Sequence, residues 1–94
     1  MRYRVVHTKK FKRQYEKLLR SGNNRTVAEL QKVINLLTGG ESLPESLHNH
    51  SLIGIMKNFY ECHIQPDWLL IYRIDREILV LELIATGSHG ELFG

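Results

Sequence analysis

The spacing of apolar residues changes near the middle of the chain, and this change limits the possible folds more than any other feature. In the first half, apolar side chains recur at helical spacing, as Phe11, Tyr15 and Leu18 do. From residue 59 onward the spacing changes to two, the period of a β-strand. A helical first half followed by a strand-forming second half predicts an α+β fold.

The predicted elements follow the order β-α-α-β-β-β. Thr8 is the expected N-cap of the first helix, and Gly39-Gly40 ends the second. The short connection between the helices predicts a two-helix hairpin packed on a mainly antiparallel, four-stranded sheet. Residues 41–52 contain Pro44 and several polar residues and are predicted as a loop. The predicted strands are residues 2–7, 59–64, 68–75 and 78–84, and the predicted helices are residues 8–20 and 26–37.

The length and composition indicate a single domain spanning residues 1–94. No run of about 18 apolar residues exists, so no membrane span is expected. The amino terminus lacks the apolar stretch of a signal peptide, which favours a cytoplasmic location. Cys62, the single cysteine, lies in a strand-like apolar segment and is predicted to be a buried, inert thiol.

Positive charge is concentrated at the amino terminus. The net charge is only +3, yet eight of the thirteen Lys and Arg residues lie within the first 20 positions, opposed there only by Glu16. Such a segment attracts phosphate backbones or an acidic protein partner, although a solvated helix face would show the same pattern. The eight residues are Arg2, Arg4, Lys9, Lys10, Lys12, Arg13, Lys17 and Arg20.

Three histidines and one aspartate stand in or beside turn-like stretches of the second half. They are His50, His63, Asp67 and His89. Histidine is the side chain whose unperturbed pKa lies nearest neutrality, so such a group is suited to moving protons. Zinc sites usually show closer histidine pairs than these spacings of thirteen, four and twenty-two residues. We therefore expect a proton-transfer site without a metal.

Three sequence blocks also resemble a known protein family. The blocks NHSLIG, HIQPDWLLIYRI and TGSHGELFG are similar to those of the YafQ branch of the RelE/ParE toxin superfamily. The resemblance implies a RelE-like fold and a type II toxin: a ribosome-dependent endoribonuclease that cleaves mRNA without a metal or other cofactor. It also implies that His50, His63, Asp67 and His89 serve proton transfer and orientation, with His89 favoured as general acid and His63 or Asp67 acting on the nucleophile.

The resemblance also implies partners and substrate contacts. The partners would be the ribosome, mRNA and a cognate antitoxin whose acidic, initially disordered segment folds on the toxin, with a heterotetramer as one allowed assembly. Trp68 fits packing better than base stacking, whereas Phe93 fits either closure of the core or stacking on a nucleobase. The predicted substrate-binding residues are Trp68, Phe93, Lys9, Lys10, Lys12 and Arg13.

One position departs from the family pattern. The branch carries arginine just before Thr-Gly-Thr/Ser-His, and this chain has Ala85. The explanation that we favour is that alanine replaces a natural arginine and so weakens a toxic nuclease. In the alternative explanation, another group supplies the missing positive charge: Arg73, Arg76, Lys57 or a group of the ribosome. We expect position 85 to lie in an exposed loop. Together with the three histidines and Asp67, it should surround one concave, basic surface.

The sequence is also compatible with two other functions. A ParE-like toxin of the same fold would bind DNA gyrase without catalysis, although the HxxxPDW and GSHxxLF blocks argue against it. The second alternative is a catalytically inactive module that binds RNA or sequesters an antitoxin.

Overall fold

The computed structural model describes residues 2–52 and 58–94 as five strands and three helices. The α+β prediction is confirmed, but the predicted count of four strands is wrong. The additional strand, β2, lies inside the segment predicted as a loop. A single 3₁₀ turn, Glu45–Leu47, precedes it. The elements are β1 (Arg4–His7), α1 (Lys9–Arg20), α2 (Asn24–Thr38), β2 (His50–Ser51), β3 (Phe59–Gln65), β4 (Trp68–Asp75), β5 (Val80–Gly87) and α3 (His89–Phe93).

The strands form one sheet in the order β1-β5-β4-β3-β2. β1 runs parallel to β5, and the other neighbours are antiparallel. Within the described ranges, no helix has the length and apolar character needed to cross a bilayer.

Side-chain caps fix where the two long helices begin. The Thr8 hydroxyl accepts a hydrogen bond from Phe11 N at 3.0 Å, as predicted, and donates one to the Ile84 carbonyl at 2.6 Å. This second bond ties the start of α1 to β5. α2 begins two residues earlier than predicted, because the Asn23 side chain accepts from Thr26 N and so caps the helix.

The main core lies between the long helices and one face of the sheet. Its strand residues include Cys62, Leu70 and Tyr72, and the helices contribute Phe11 and Leu30, among others. Burial raises the pKa of the Cys62 thiol to about 12, with a smaller contribution from Glu61. The thiol therefore stays protonated near neutral pH, which agrees with the predicted inert cysteine.

Successive strand residues point to opposite faces, which identifies the face that lacks the two long helices. Leu70 and Tyr72 belong to the main core, so Leu69, Ile71 and Arg73 face the other way. We call this second side the open face of the sheet. Leu69 and Ile71 are nevertheless almost fully buried there.

The last strand begins and ends later than predicted. The Asp75 carboxylate accepts hydrogen bonds from the backbone N–H groups of Glu77 and Ile78, and Leu79 has a positive φ of 54°. These contacts extend the turn, so β5 begins at Val80 and continues to Gly87. The register with β4 shifts between Ile71 and Tyr72. Position 85 consequently lies inside a strand and not after its end.

Candidate active site

A buried carboxylate lies between two of the predicted catalytic histidines. Glu61 Oε1 is 3.4 Å from His50 Nε2 and 3.8 Å from His63 Nε2, and Glu61 is only 9% exposed. The pairing of β2 with β3 sets His50 opposite Glu61, and strand alternation puts His63 on the same face two residues later. The three side chains form what we call the His-Glu-His cluster on the open face.

The backbone beside the cluster fixes the orientation of the His50 ring. His50 Nδ1 lies 2.8 Å from the His48 carbonyl oxygen, so Nδ1 carries a proton and donates to that oxygen. Nε2 is then the nitrogen directed at Glu61. His48 has a left-handed backbone conformation with φ 48°, and its ring lies edge-on to the His63 ring at 5.8 Å. His48 is exposed, and its ring contacts the cluster through His63.

Position 85 shares the open face with the cluster. Strand pairing aligns His50 with Glu61, Glu61 with Ile71, and Ile71 with Ala85, in one row across the sheet. Two strand spacings separate Glu61 from Ala85, about 10 Å between their Cα atoms. Ala85 is only 3% exposed, so the expectation of an exposed loop position is wrong. The long β5 places this residue in the middle of the sheet.

Arg73 and Arg76 lie on different sides of the sheet. Both were considered as replacements for an arginine at position 85. Arg73 faces the open side, where its Nε is 3.0 Å from Glu82 Oε1. Arg76 is instead directed toward the Tyr60 hydroxyl beside the main core. Arg73 is thus the better placed of the two. Lys57 lies outside the described residues.

His89 and Phe93 lie together on α3, at the end of β5. Their ring centroids are 5.2 Å apart, and Phe93 is 49% exposed, which favours the stacking interpretation over closure of the core. A Cβ added at Gly87 would lie 3.4 Å from both Glu91 and Leu92. Gly87 occupies the same cross-strand row as Leu69 and His63, so α3 turns over the open face.

A capping box holds α3 in place. The Ser88 hydroxyl accepts from Glu91 N, and the Glu91 carboxylate accepts from Ser88 N at 2.9 Å. These hydrogen bonds, with a smaller contribution from Lys17 Nζ at 3.5 Å, lower the pKa of Glu91. The position of His89 therefore depends on Glu91.

Asp67 and Trp68 lie at the turn between β3 and β4 and at the start of β4. Asp67 is exposed in the turn between β3 and β4. Trp68 packs against the main core, and its indole N–H donates to Thr86 Oγ1 at 2.9 Å. The structure therefore gives Trp68 a packing role. No described contact joins Asp67 or His89 to the cluster, so their membership of a shared site stays a prediction.

The basic residues of α1 are exposed, as a binding surface requires. Lys9, Lys10, Lys12 and Arg13 all lie on the solvent side of the helix, while Phe11 faces the core. Their part in substrate binding stays a prediction.

Glu61 was not among the predicted site residues. A usable signal was present, because residues two apart on a strand share a face and Glu61 precedes His63 by two. The pairing of Glu61 with His50 had no sequence signal, because β2 has only two residues and is too short to show a periodic pattern.

Comparison with known proteins decides the family. Residues 3–94 match the family described as the bacterial toxin of type II toxin–antitoxin system, YafQ. The chain belongs to the YafQ family. The mRNA interferase toxin YafQ of Escherichia coli K12 is 40% identical over 52 residues, which span 55% of this chain and 54% of that protein.

Solved structures of similar fold cover the whole chain. The crystal structure of the E. coli DinJ–YafQ toxin–antitoxin complex contains a similar chain with a TM-score of 0.89, 24% identity and 100% of both chains covered. At this identity, the likeness supports only the fold. A metal-bound toxin from Helicobacter pylori has a TM-score of 0.87 and 35% identity, with 99% of this chain and 100% of that one covered. In residues 2–52 and 58–94 of this YafQ-family chain, no group of three or more His, Cys, Asp or Glu residues is arranged to hold a metal.

Proposed function

We propose that this YafQ-family toxin is an endoribonuclease that cleaves mRNA on the ribosome, by attack of the ribose 2′-OH on the adjacent phosphorus. The observation that carries the proposal is the buried Glu61 carboxylate flanked by the His50 and His63 imidazoles. A carboxylate in this position orients the rings and stabilises an imidazolium formed during proton transfer. The name of the E. coli relative, an mRNA interferase, supports the same activity.

The proposed chemical roles are consistent with the geometry. His63 takes the 2′-OH proton, because its ring contacts Glu61 and borders an open groove. His50 is held by the His48 carbonyl, and together with Glu61 it orients the nucleophile side. His89 protonates the departing 5′ oxygen from the exposed side of α3. The products are then a 2′,3′-cyclic phosphate and a 5′-hydroxyl, and none of these steps needs a metal.

The transition state requires a positive charge that Ala85 does not supply. Arg73 is on the correct face, but its guanidinium contacts Glu82 and Asp75. An arginine at position 85 would lie in the same cross-strand row as Glu61. The chain is therefore a weakened nuclease, because loss of one preorganised charge donor costs about 10²–10³ in rate.

Charge and fold support the proposed partners. The exposed lysines and arginine of α1 dock on ribosomal RNA phosphates, which position the protein without specifying a sequence. The match to a type II toxin–antitoxin family and the likeness, at 25% identity, to YafQ in an E. coli DinJ–YafQ complex support a cognate antitoxin. We infer that its toxin-binding segment is acidic, which complements the basic α1, and that the complex allows a heterotetramer. A protein that acts on ribosomes and mRNA works in the cytoplasm.

The test is cleavage of a defined mRNA on programmed ribosomes, with analysis of the product ends. We expect 2′,3′-cyclic phosphate ends from the unaltered chain and a large loss of cleavage in a His63→Gln variant. A His7→Gln variant, altered at an exposed β1 residue, is the control. Intact mRNA together with inhibition of DNA gyrase would overturn the proposal in favour of a ParE-like toxin.

A further inference from the structure

A groove beside His63 lies outside the His-Glu-His cluster. It has a volume of about 500 Å³ and runs between α2 and the outer edge of β3. Glu29 lines it from α2, His48 and Leu47 from the segment before β2, and Gln65 from the end of β3. Because His63 lines both the groove and the cluster, an RNA strand bound at the cluster has a nucleotide next to this groove.

The lining of the groove fits a nucleobase better than a phosphate. Leu47, Ile64 and Pro66 give it an apolar surface suited to a flat ring. The Glu29 carboxylate repels phosphate but accepts hydrogen bonds from base N–H groups. Anionic and apolar groups together therefore indicate the base and not the backbone of the substrate.

A buried contact fixes the orientation of Gln65. The hydroxyl of Thr26, which is 1% exposed, donates to Gln65 Oε1 at 2.6 Å. With its oxygen held in this way, the Gln65 side chain offers its NH₂ group as a donor. The groove thus pairs one acceptor, Glu29, with one donor, Gln65.

We propose that this groove binds the nucleobase adjacent to the scissile phosphate and selects bases that carry an exocyclic amino group. Adenine, cytosine and guanine each present an N–H₂ donor that Glu29 accepts and a neighbouring acceptor for Gln65. Uracil has no amino group, and its single N3–H donor lies between two carbonyl oxygens, so a carboxylate oxygen of Glu29 that approaches it also faces a carbonyl oxygen unfavourably. This inference rests on the proposed nuclease function, since it assigns part of that substrate.

The test compares base preference at each codon position in Glu29→Gln and Glu45→Gln variants. Glu45 lies in the nearby 3₁₀ turn and does not line the groove, so it is a matched control for the loss of one carboxylate. We expect the Glu29 variant to lose about tenfold of the discrimination against uracil at one position. Ribosome affinity and thermal stability should match those of the control.

A direct binding measurement separates this inference from the proposed function. Short RNA oligonucleotides that differ at one base are titrated into the folded protein, and the NMR signals of the Gln65 side-chain amide are followed. Shifts that are strong with amino-bearing bases and weak with uracil support the groove even if no cleavage occurs. Uniform shifts for all bases, or an unchanged preference in the Glu29→Gln variant, would overturn it.

Discussion

The hydroxyl of Tyr72 donates a hydrogen bond to Asn49 Oδ1 at 2.5 Å, and this bond connects the main core to the segment that holds His50. Tyr72 is only 1% exposed, and burial raises the pKa of its phenol, so it remains a donor at neutral pH. Asn49 lies between His48, whose carbonyl accepts from the His50 ring, and His50 itself. Tyr72 therefore acts as a positioning residue for His50, from the opposite face of the sheet.

A Tyr72→Phe variant should lose cleavage activity while remaining folded. Displacement of a catalytic group lowers rates by about ten- to a hundredfold, whereas loss of one hydrogen bond costs only about 1 kcal/mol of stability. Tyr60→Phe is the control, because Tyr60 stacks on Tyr72 but directs its hydroxyl toward Arg76. Equal single-turnover rates for the two variants would show that the Asn49 contact does not position His50.

Replacing Glu61 with glutamine should reduce cleavage by about 10²-fold or more, since the uncharged amide cannot stabilise an imidazolium at His50 or His63. Glu77→Gln removes an exposed carboxylate from the β4–β5 turn and should leave the rate unchanged. Single-turnover cleavage on programmed ribosomes measures both variants. A Glu61→Gln protein with the unaltered rate would remove Glu61 from the proposed mechanism.

An Ala85→Arg variant should cleave mRNA about 10²–10³ times faster, because a guanidinium contacts two phosphate oxygens of the transition state at once. Its stability should fall by about 1–3 kcal/mol, since position 85 is nearly fully buried. Ala85→Met adds a long side chain without charge and should show the stability loss alone. If both variants cleave at the original rate, Arg73 is the next residue to change.

Neutral substitutions at Lys9, Lys10, Lys12 and Arg13 should weaken ribosome association and flatten its salt dependence, because fewer counterions are released on binding. Lys32→Gln, at an exposed position of α2, is a single-charge control. Sedimentation with ribosomes over a range of salt concentrations gives the slope. An unchanged slope in the fourfold variant would make the α1 charge a solvated helix face.

The last helix should loosen in acid. The folded pKa of Glu91 is lowered, chiefly by hydrogen bonds from Ser88, so its stabilising contribution is present above the unfolded pKa, about 4.3. That contribution is lost as the pH falls through the lower, folded pKa. NMR chemical shifts of residues 89–93 should therefore move toward disordered values in this acidic window. In a Glu91→Gln variant, the same shifts should not depend on pH there.

The sequence by itself determined the features that depend on local interactions. The Thr8 cap, the stop after Arg20 and the bounds of β4 follow from neighbouring residues, and the change in apolar period gave the α+β class. The motif residues His50 and His63 were likewise identifiable, since they are read directly from the sequence.

The tertiary structure alone decided which of these residues meet. Glu61 contacts His50 because a two-residue strand pairs with β3, and such a short strand has no periodic signal of its own. Ala85 became a buried strand position because the Asp75 turn and a register shift moved β5 along β4. Register depends on pairing between segments distant in sequence, where a shift of one residue reverses the face on which every side chain lies.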